Sequence, residues 1–143
     1  MTLADVNVLI YAFARNAPDH DRYRAWMERT LAGPEPFGVS ELALSSVVRI
    51  VTRQSAVRPA EPIAGALAYV DALRNHPRAR ALRPGPRHWD VFTSLCRDLG
   101  ASGNLVADAY HAALAIEHGC TWITTDRDFA RFPGLRWRHP LDG

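Results

Sequence analysis

The stretch Thr2-Leu3-Ala4-Asp5-Val6-Asn7-Val8-Leu9-Ile10-Tyr11-Ala12-Phe13-Ala14 decides the fold class. Residues 2–6, apolar around Asp5, read as a short buried strand. Asp5-Val6-Asn7 is where the strand gives way to a helix, with Asn7 the expected N-cap and Val8 to Ala14 the first turns. A strand that runs straight into a helix opens a βα unit. The same alternation recurs along the chain. Asp19 or His20 opens a helix with Tyr23, Trp26, Met27 and Leu31 at helical spacing, closed by Gly33-Pro34. That face reads as core or partner surface. Phe37-Gly38-Val39 is a strand, and Ser40 caps a helix from Glu41 to about Thr52. Further helices are expected over Ile63–Leu73, from Pro86 to Leu99 before Gly100, and over Asn104–His118 before Gly119. Strands are expected at Ala79–Leu82, Thr121–Thr124 and Leu135–His139. Alternating strands and helices imply an α/β fold, a mostly parallel central sheet covered by helices on both faces. In such folds ligands bind beyond the carboxyl ends of the strands.

Composition narrows the class. The 143 residues suit one domain spanning 1–143. With 48% hydrophobic and 22% charged residues, the chain has enough apolar material for a core and is not of the disordered kind. Cys96 and Cys120 are too few for a disulfide scaffold and are expected to be reduced. Met1-Thr2-Leu3-Ala4-Asp5 has no basic segment of a signal peptide, and no apolar run approaches the roughly 20 residues of a membrane span. The expected location is the cytoplasm, with no membrane partner. All 17 basic residues are Arg and none is Lys. Arg suits bidentate contact with phosphate, although a GC-rich genome gives the same excess.

The acids acquire meaning from the architecture. Asp5 ends the first strand, Glu41 follows the second, and Asp126 and Asp128 follow the Thr121–Thr124 strand. Each of these strands thus delivers a carboxylate to the side where sites form. Asp108 lies in mid-helix, where Asp is a poor helix former. Asn104, Asp108 and His111 share its face, while Leu105, Val106, Ala109, Ala113 and Ile116 read as its core side. If the acids converge, two carboxylates about 5 Å apart repel by roughly 3 kcal/mol at an effective dielectric near 20. A divalent cation removes that penalty, and an all-oxygen donor set suits Mg²⁺, with Mn²⁺ as an alternative, rather than zinc. Such a site hydrolyses phosphodiesters with metal-activated water. Each acid alone also has a plain structural use, as a cap, a turn residue or a solvated charge, so spacing leaves their convergence open.

The chain resembles the PIN-domain family and, within it, the VapC-type toxins. The resembling stretches are Asp5-Val6-Asn7-Val8-Leu9-Ile10-Tyr11, Glu41 after Ser40, Val106 to Ala115 around Asp108, and Trp122-Ile123-Thr124-Thr125-Asp126-Arg127-Asp128-Phe129. Phe132-Pro133-Gly134-Leu135 and Pro140-Leu141 complete the likeness, which runs from Asp5 to Leu141. It implies a PIN-like three-layer α/β/α fold. It also implies a magnesium-dependent endoribonuclease, the toxin of a type II toxin–antitoxin pair. On this resemblance Asp5, Glu41, Asp108 and Asp126 are the catalytic acids, with Asp5, Asp108 and Asp126 as metal ligands. Asn7, Thr124 and Asp128 support them, Asn7 by orienting Asp5 or a water. The implied partners are an RNA substrate, a small VapB-like antitoxin and a second copy in a homodimer. His111 faces the acids and stays open between structure and substrate contact. Arg49, Arg53, Arg127 and Arg131 stay open between phosphate, antitoxin and solvent.

Other readings remain. One is a PIN-fold RNA-binding module without catalysis, and another is a PIN nuclease with no antitoxin. An aspartyl phosphotransferase fits worse: position 7 is Asn rather than a second acid, and Lys is absent.

Overall fold

Thr2–Ala4 forms β1, the middle strand of the sheet. A computed structural model describes residues 1–56 and 58–142. After β1 come α1 (Val6–Phe13), α2 (His20–Ala32), β2 (Phe37–Val39), α3 (Glu41–Val51), α4 (Ile63–Arg74) and β3 (Ala79–Ala81). Then follow α5 (His88–Leu99), α6 (Asn104–Glu117), β4 (Thr121–Ile123), a 3₁₀ turn over Arg127–Arg131 and β5 (Trp137–Arg138). The strands lie in the order β3-β2-β1-β4-β5, and every pairing is parallel.

Alternation along the strands separates two cores. Leu3 of β1 and Trp122 of β4 face a core built with α5, α6, Phe129 and Phe132. Ile123 and Val39 join the opposite core, made with α1, α2, α3 and α4. The result is the three-layer α/β/α arrangement the sequence implies. Tyr23, Trp26 and Met27 are buried in the second of these cores. In α6 the buried arc is Ala109, Ala112, Ala113, Leu114 and Ala115. Leu105, Val106 and Ile116 are only half-buried, because the small residues, not the larger ones, bring α6 close to the sheet. Cys96 and Cys120 are free thiols.

Two helix ends behave as their residues dictate. The Ser40 hydroxyl accepts from the Ala43 N–H at 3.3 Å at the start of α3. Gly100 closes α5 in the left-handed region at φ 55. Ser40 is buried, so its cap has no water to replace it. Ser40→Ala is expected to lower stability by about 1 kcal/mol, read in a urea titration.

One cap differs from the sequence expectation. The helix begins at Val6, not Val8, and Asp5 rather than Asn7 is the N-cap of α1. Asp5 is extended, at φ −67 and ψ 155, and its Oδ1 accepts from the Val6 N–H at 2.7 Å. Asp and Asn cap equally well, so composition could not rank them. Asn7 is instead an exposed residue of the first turn, with no hydrogen bond to Asp5.

The strand order positions the site. From β1 the chain moves outward to β2 and β3, then returns across the sheet to β4 and β5. The reversal falls between β1 and β4, and in sheets of this kind ligands bind beyond the carboxyl ends of the strands at that point.

Candidate active site

Asp5 and Thr124 stand side by side at that switch point. β1 pairs with β4 so that Ala4 lies opposite Ile123, and the next residue of each strand reaches its end together. The fully buried Thr124 hydroxyl donates to Asp5 Oδ2 at 2.7 Å and its oxygen accepts from the Asp126 N–H at 3.0 Å. Asp126 in turn caps the following 3₁₀ turn, its Oδ1 accepting from the Asp128 N–H at 2.9 Å. One hydroxyl thus ties two acids from different strands into a fixed relation.

Asp108 completes the group from α6. Burial first, then the charges of Asp5 and Asp126, pushes its carboxyl up to about 6, with Arg131 opposing and Asp128 adding a smaller push. Burial likewise raises the Asp5 carboxyl above the usual range, although Thr124 and His111 pull it down. The aspartates are therefore close enough to feel one another's charge, and Asp108 holds its proton unusually well.

His111 lies one turn along α6 from Asp108. Its ring stacks on Trp122, centroids 5.6 Å apart and planes 21° from parallel. Burial holds its pKa below the ordinary histidine value, although Asp5 pulls it up. It forms part of the wall of the site.

Glu41 sits apart. It opens α3 beyond β2, and its carboxylate accepts from Arg74 Nε at 2.9 Å and pairs with Arg83 at 3.3 Å. The hydrogen bond from Arg74 and the charge of Arg83 hold its carboxyl below the usual range. A groove beside it is lined by Glu41, Arg83, Tyr110 and His111, and His111 among them feels the charge of Asp5. Arg74 and Arg83 were not legible as site residues, since they meet Glu41 only through the fold. Of the arginines the sequence singled out, Arg131 acts on Asp108 and Arg127 pairs with Asp142 at 3.2 Å. Arg49 and Arg53 are exposed at the far end of α3.

The donors gathered here are carboxylates and a hydroxyl, a set suited to a hard divalent cation. Among the described residues, no three His, Cys, Asp or Glu side chains stand close enough together to hold a metal ion as they are placed here. Burial first, and then the neighbouring carboxylates, make the ionised form of Asp108 costly, which a cation would relieve.

The sequence pattern of the PIN domain matches residues 2–135. The chain belongs to the PIN domain family. Within this family it falls among the VapC proteins. It is 46% identical over 144 aligned positions to Ribonuclease VapC43 of Mycobacterium tuberculosis, covering 100% of this chain and 97% of that one. It is 40% identical over 140 positions to Ribonuclease VapC25 of the same organism, covering 98% and 99%. In fold, this PIN domain is similar to a chain in the crystal structure of VapBC2 from Rickettsia felis bound to a promoter DNA fragment. That match has a TM-score of 0.72 and 19% identity and covers 96% of this chain and 97% of that one. No helix among the described residues is long and apolar enough to cross a membrane.

Proposed function

We propose that this PIN domain is a magnesium-dependent endoribonuclease and the toxin of a VapBC-type pair, held in check by a small VapB-like antitoxin. The observation that supports it most is the gathering of Asp5, Asp108 and Asp126 at the carboxyl ends of β1 and β4, with Asp108 raised to about 6. The full-length likeness to proteins named VapC ribonucleases points the same way.

Asp5, Asp108 and Asp126 would hold Mg²⁺ or Mn²⁺. When bound, the cation supplies a Lewis acid that offsets the carboxylate charge and lowers the pKa of water beside a phosphodiester. The chain's own residues do the positioning. Thr124 fixes Asp5 through its hydroxyl and Asp126 through that residue's backbone. Asp128 steadies the Asp126 carboxylate through its N–H. His111, stacked on Trp122, lines the groove beside Glu41. Glu41, the fourth acid, lines that groove with His111 from β2's end, with Arg74 and Arg83 on its carboxylate. Arg131, beside Asp108, supplies positive charge where a phosphate would enter. The cytoplasm and a homodimeric state belong to this reading.

The test is cleavage of a single-stranded or looped RNA by protein stripped of any co-purified partner. Cutting is expected with Mg²⁺ and none in EDTA. Tight RNA binding without cutting in Mg²⁺ or Mn²⁺ would replace this reading with that of a non-catalytic RNA-binding module.

A further inference from the structure

A basic trough runs between α2 and β5, outside the aspartate site. Arg22, Trp26 and Arg29 recur at i, i+4 and i+7 and so share one face of α2. Arg138 of β5 stands across from them. The upper part of the trough is lined by Arg22, Arg29 and Arg138 and ends at Asp142. The lower part is again lined by Trp26, Arg29 and Arg138 and ends near Glu35. The shared residues make the two parts continuous.

The charges here are unbalanced. Arg22 has Asp19 at 4.0 Å, and Asp142 is engaged by Arg127 at 3.2 Å. Among the described residues, no carboxylate lies within ion-pair reach of Arg29 or Arg138. All these arginines are exposed. Guanidinium groups facing one trough repel, and an anion with charge spread along it relieves them. From Arg22 to Arg29 the helix rises about 10 Å, so a strand lying there meets more than one cation. The upper end leads to Arg127, which directly follows Asp126.

We infer that this trough binds the phosphate backbone of an RNA strand outside the cleavage site, with Arg29 and Arg138 as its phosphate contacts. The inference rests on the ribonuclease reading above. It assigns the trough to substrate length rather than to chemistry: a strand cut at the aspartates continues past Arg127 and down between α2 and β5. Arginine forks suit phosphate oxygens, and such contacts are sequence-blind.

The test compares wild type with Arg29→Glu/Arg138→Glu and Arg29→Lys/Arg138→Lys. The probes are a tetranucleotide and an unstructured RNA several times longer. Binding is followed by fluorescence anisotropy in EDTA, where nothing is cut, and cleavage is followed in Mg²⁺. The charge reversal is expected to weaken long-strand binding by about tenfold or more. It should also flatten the slope of log K against log salt by about 1.4, which is about 0.7 for each of the two single-strand phosphates that is no longer neutralised. Tetranucleotide cleavage stays at the wild-type rate, and the Lys variant keeps the wild-type salt slope. Unchanged long-strand affinity and slope, in a protein whose wild type cuts RNA, would overturn the trough alone. Poly-glutamate, titrated by anisotropy as a third probe, covers the other occupant: a charge reversal that abolishes its binding and leaves RNA binding intact would also overturn the inference, making the trough a protein-docking surface. A wild type that cuts neither RNA removes the ribonuclease reading and the trough with it.

Discussion

Asp108→Asn is expected to lower RNA cleavage at least about 100-fold and, at neutral pH without metal, to raise the melting temperature. The first effect follows from position. Loss of a partner that merely orients a metal ligand typically costs about 10–100-fold, and Asp108 is proposed as a ligand itself. The second follows from charge. Burial, Asp5 and Asp126 raise the Asp108 carboxyl from its ordinary 3.8 to about 6. A carboxyl raised on folding adds stability that is fully present below pH 3.8 and is lost as the pH climbs through about 6. At pH 7 the ionised carboxylate works against the fold, and the neutral amide does not. Thermal melts at pH 5 and pH 7.5 read this out. The gap between Asp108→Asn and wild type should be wide at pH 7.5 and narrow at pH 5. Added Mg²⁺ should raise the wild-type melting temperature at pH 7.5 and leave the variant nearly unmoved. A variant that melts below wild type at both pH values would mean that Asp108 is a structural residue, not a strained one.

Trp122→Ala is expected to cost about 3–5 kcal/mol, a large part of a domain's total stability. Trp122 is wholly buried in β4, with the His111 ring 5.6 Å and the Phe129 ring 5.5 Å from its own. Truncation leaves a cavity between the central sheet and α6 that neither strand nor helix can close. Trp122→Phe should cost clearly less, because the phenyl ring leaves a smaller cavity. Among the described residues the buried indole N–H has no hydrogen-bond partner, so the phenyl ring sheds an unsatisfied polar group. Urea unfolding of the three proteins gives the comparison, with unchanged slopes showing that the unfolding reaction is the same. Equal losses in the two variants would mean that cavity volume is not what Trp122 contributes.

What the chain's order revealed and what it concealed divide along the range of the interactions involved. Helix ends were readable because Ser40, Gly33 and Gly100 act on their immediate neighbours. The parallel sheet was readable because strand and helix alternate from Thr2 onward, and that alternation placed Asp5 and Asp126 at strand ends. Local chemistry could not choose between Asp5 and Asn7 as the first cap, since both side chains offer the same acceptor. It gave no hint of the Thr124 hydroxyl reaching Asp5, because the two lie at opposite ends of the chain and meet only through β1–β4 pairing. The arginines on Glu41 stayed hidden for the same reason: Arg74 ends α4 and Arg83 follows β3, and neither is near Glu41 in sequence. The trough between α2 and β5 likewise joins early and late residues whose charges look ordinary one at a time.

Both oxygens of Asp5 are already occupied by the protein, one by the Val6 N–H and one by the Thr124 hydroxyl. Asp108 has no such employment among the described residues. The two acids therefore stand differently before mutation and drift. A lineage released from selection for catalysis would shed Asp108 early, since its loss relieves the fold. Asp5 would persist long afterwards, kept by the helix it starts and the strand it fastens. A relative with Asp5 intact and Asp108 gone is then recognisable as a retired enzyme, and Asp108 is the residue whose presence marks a working one.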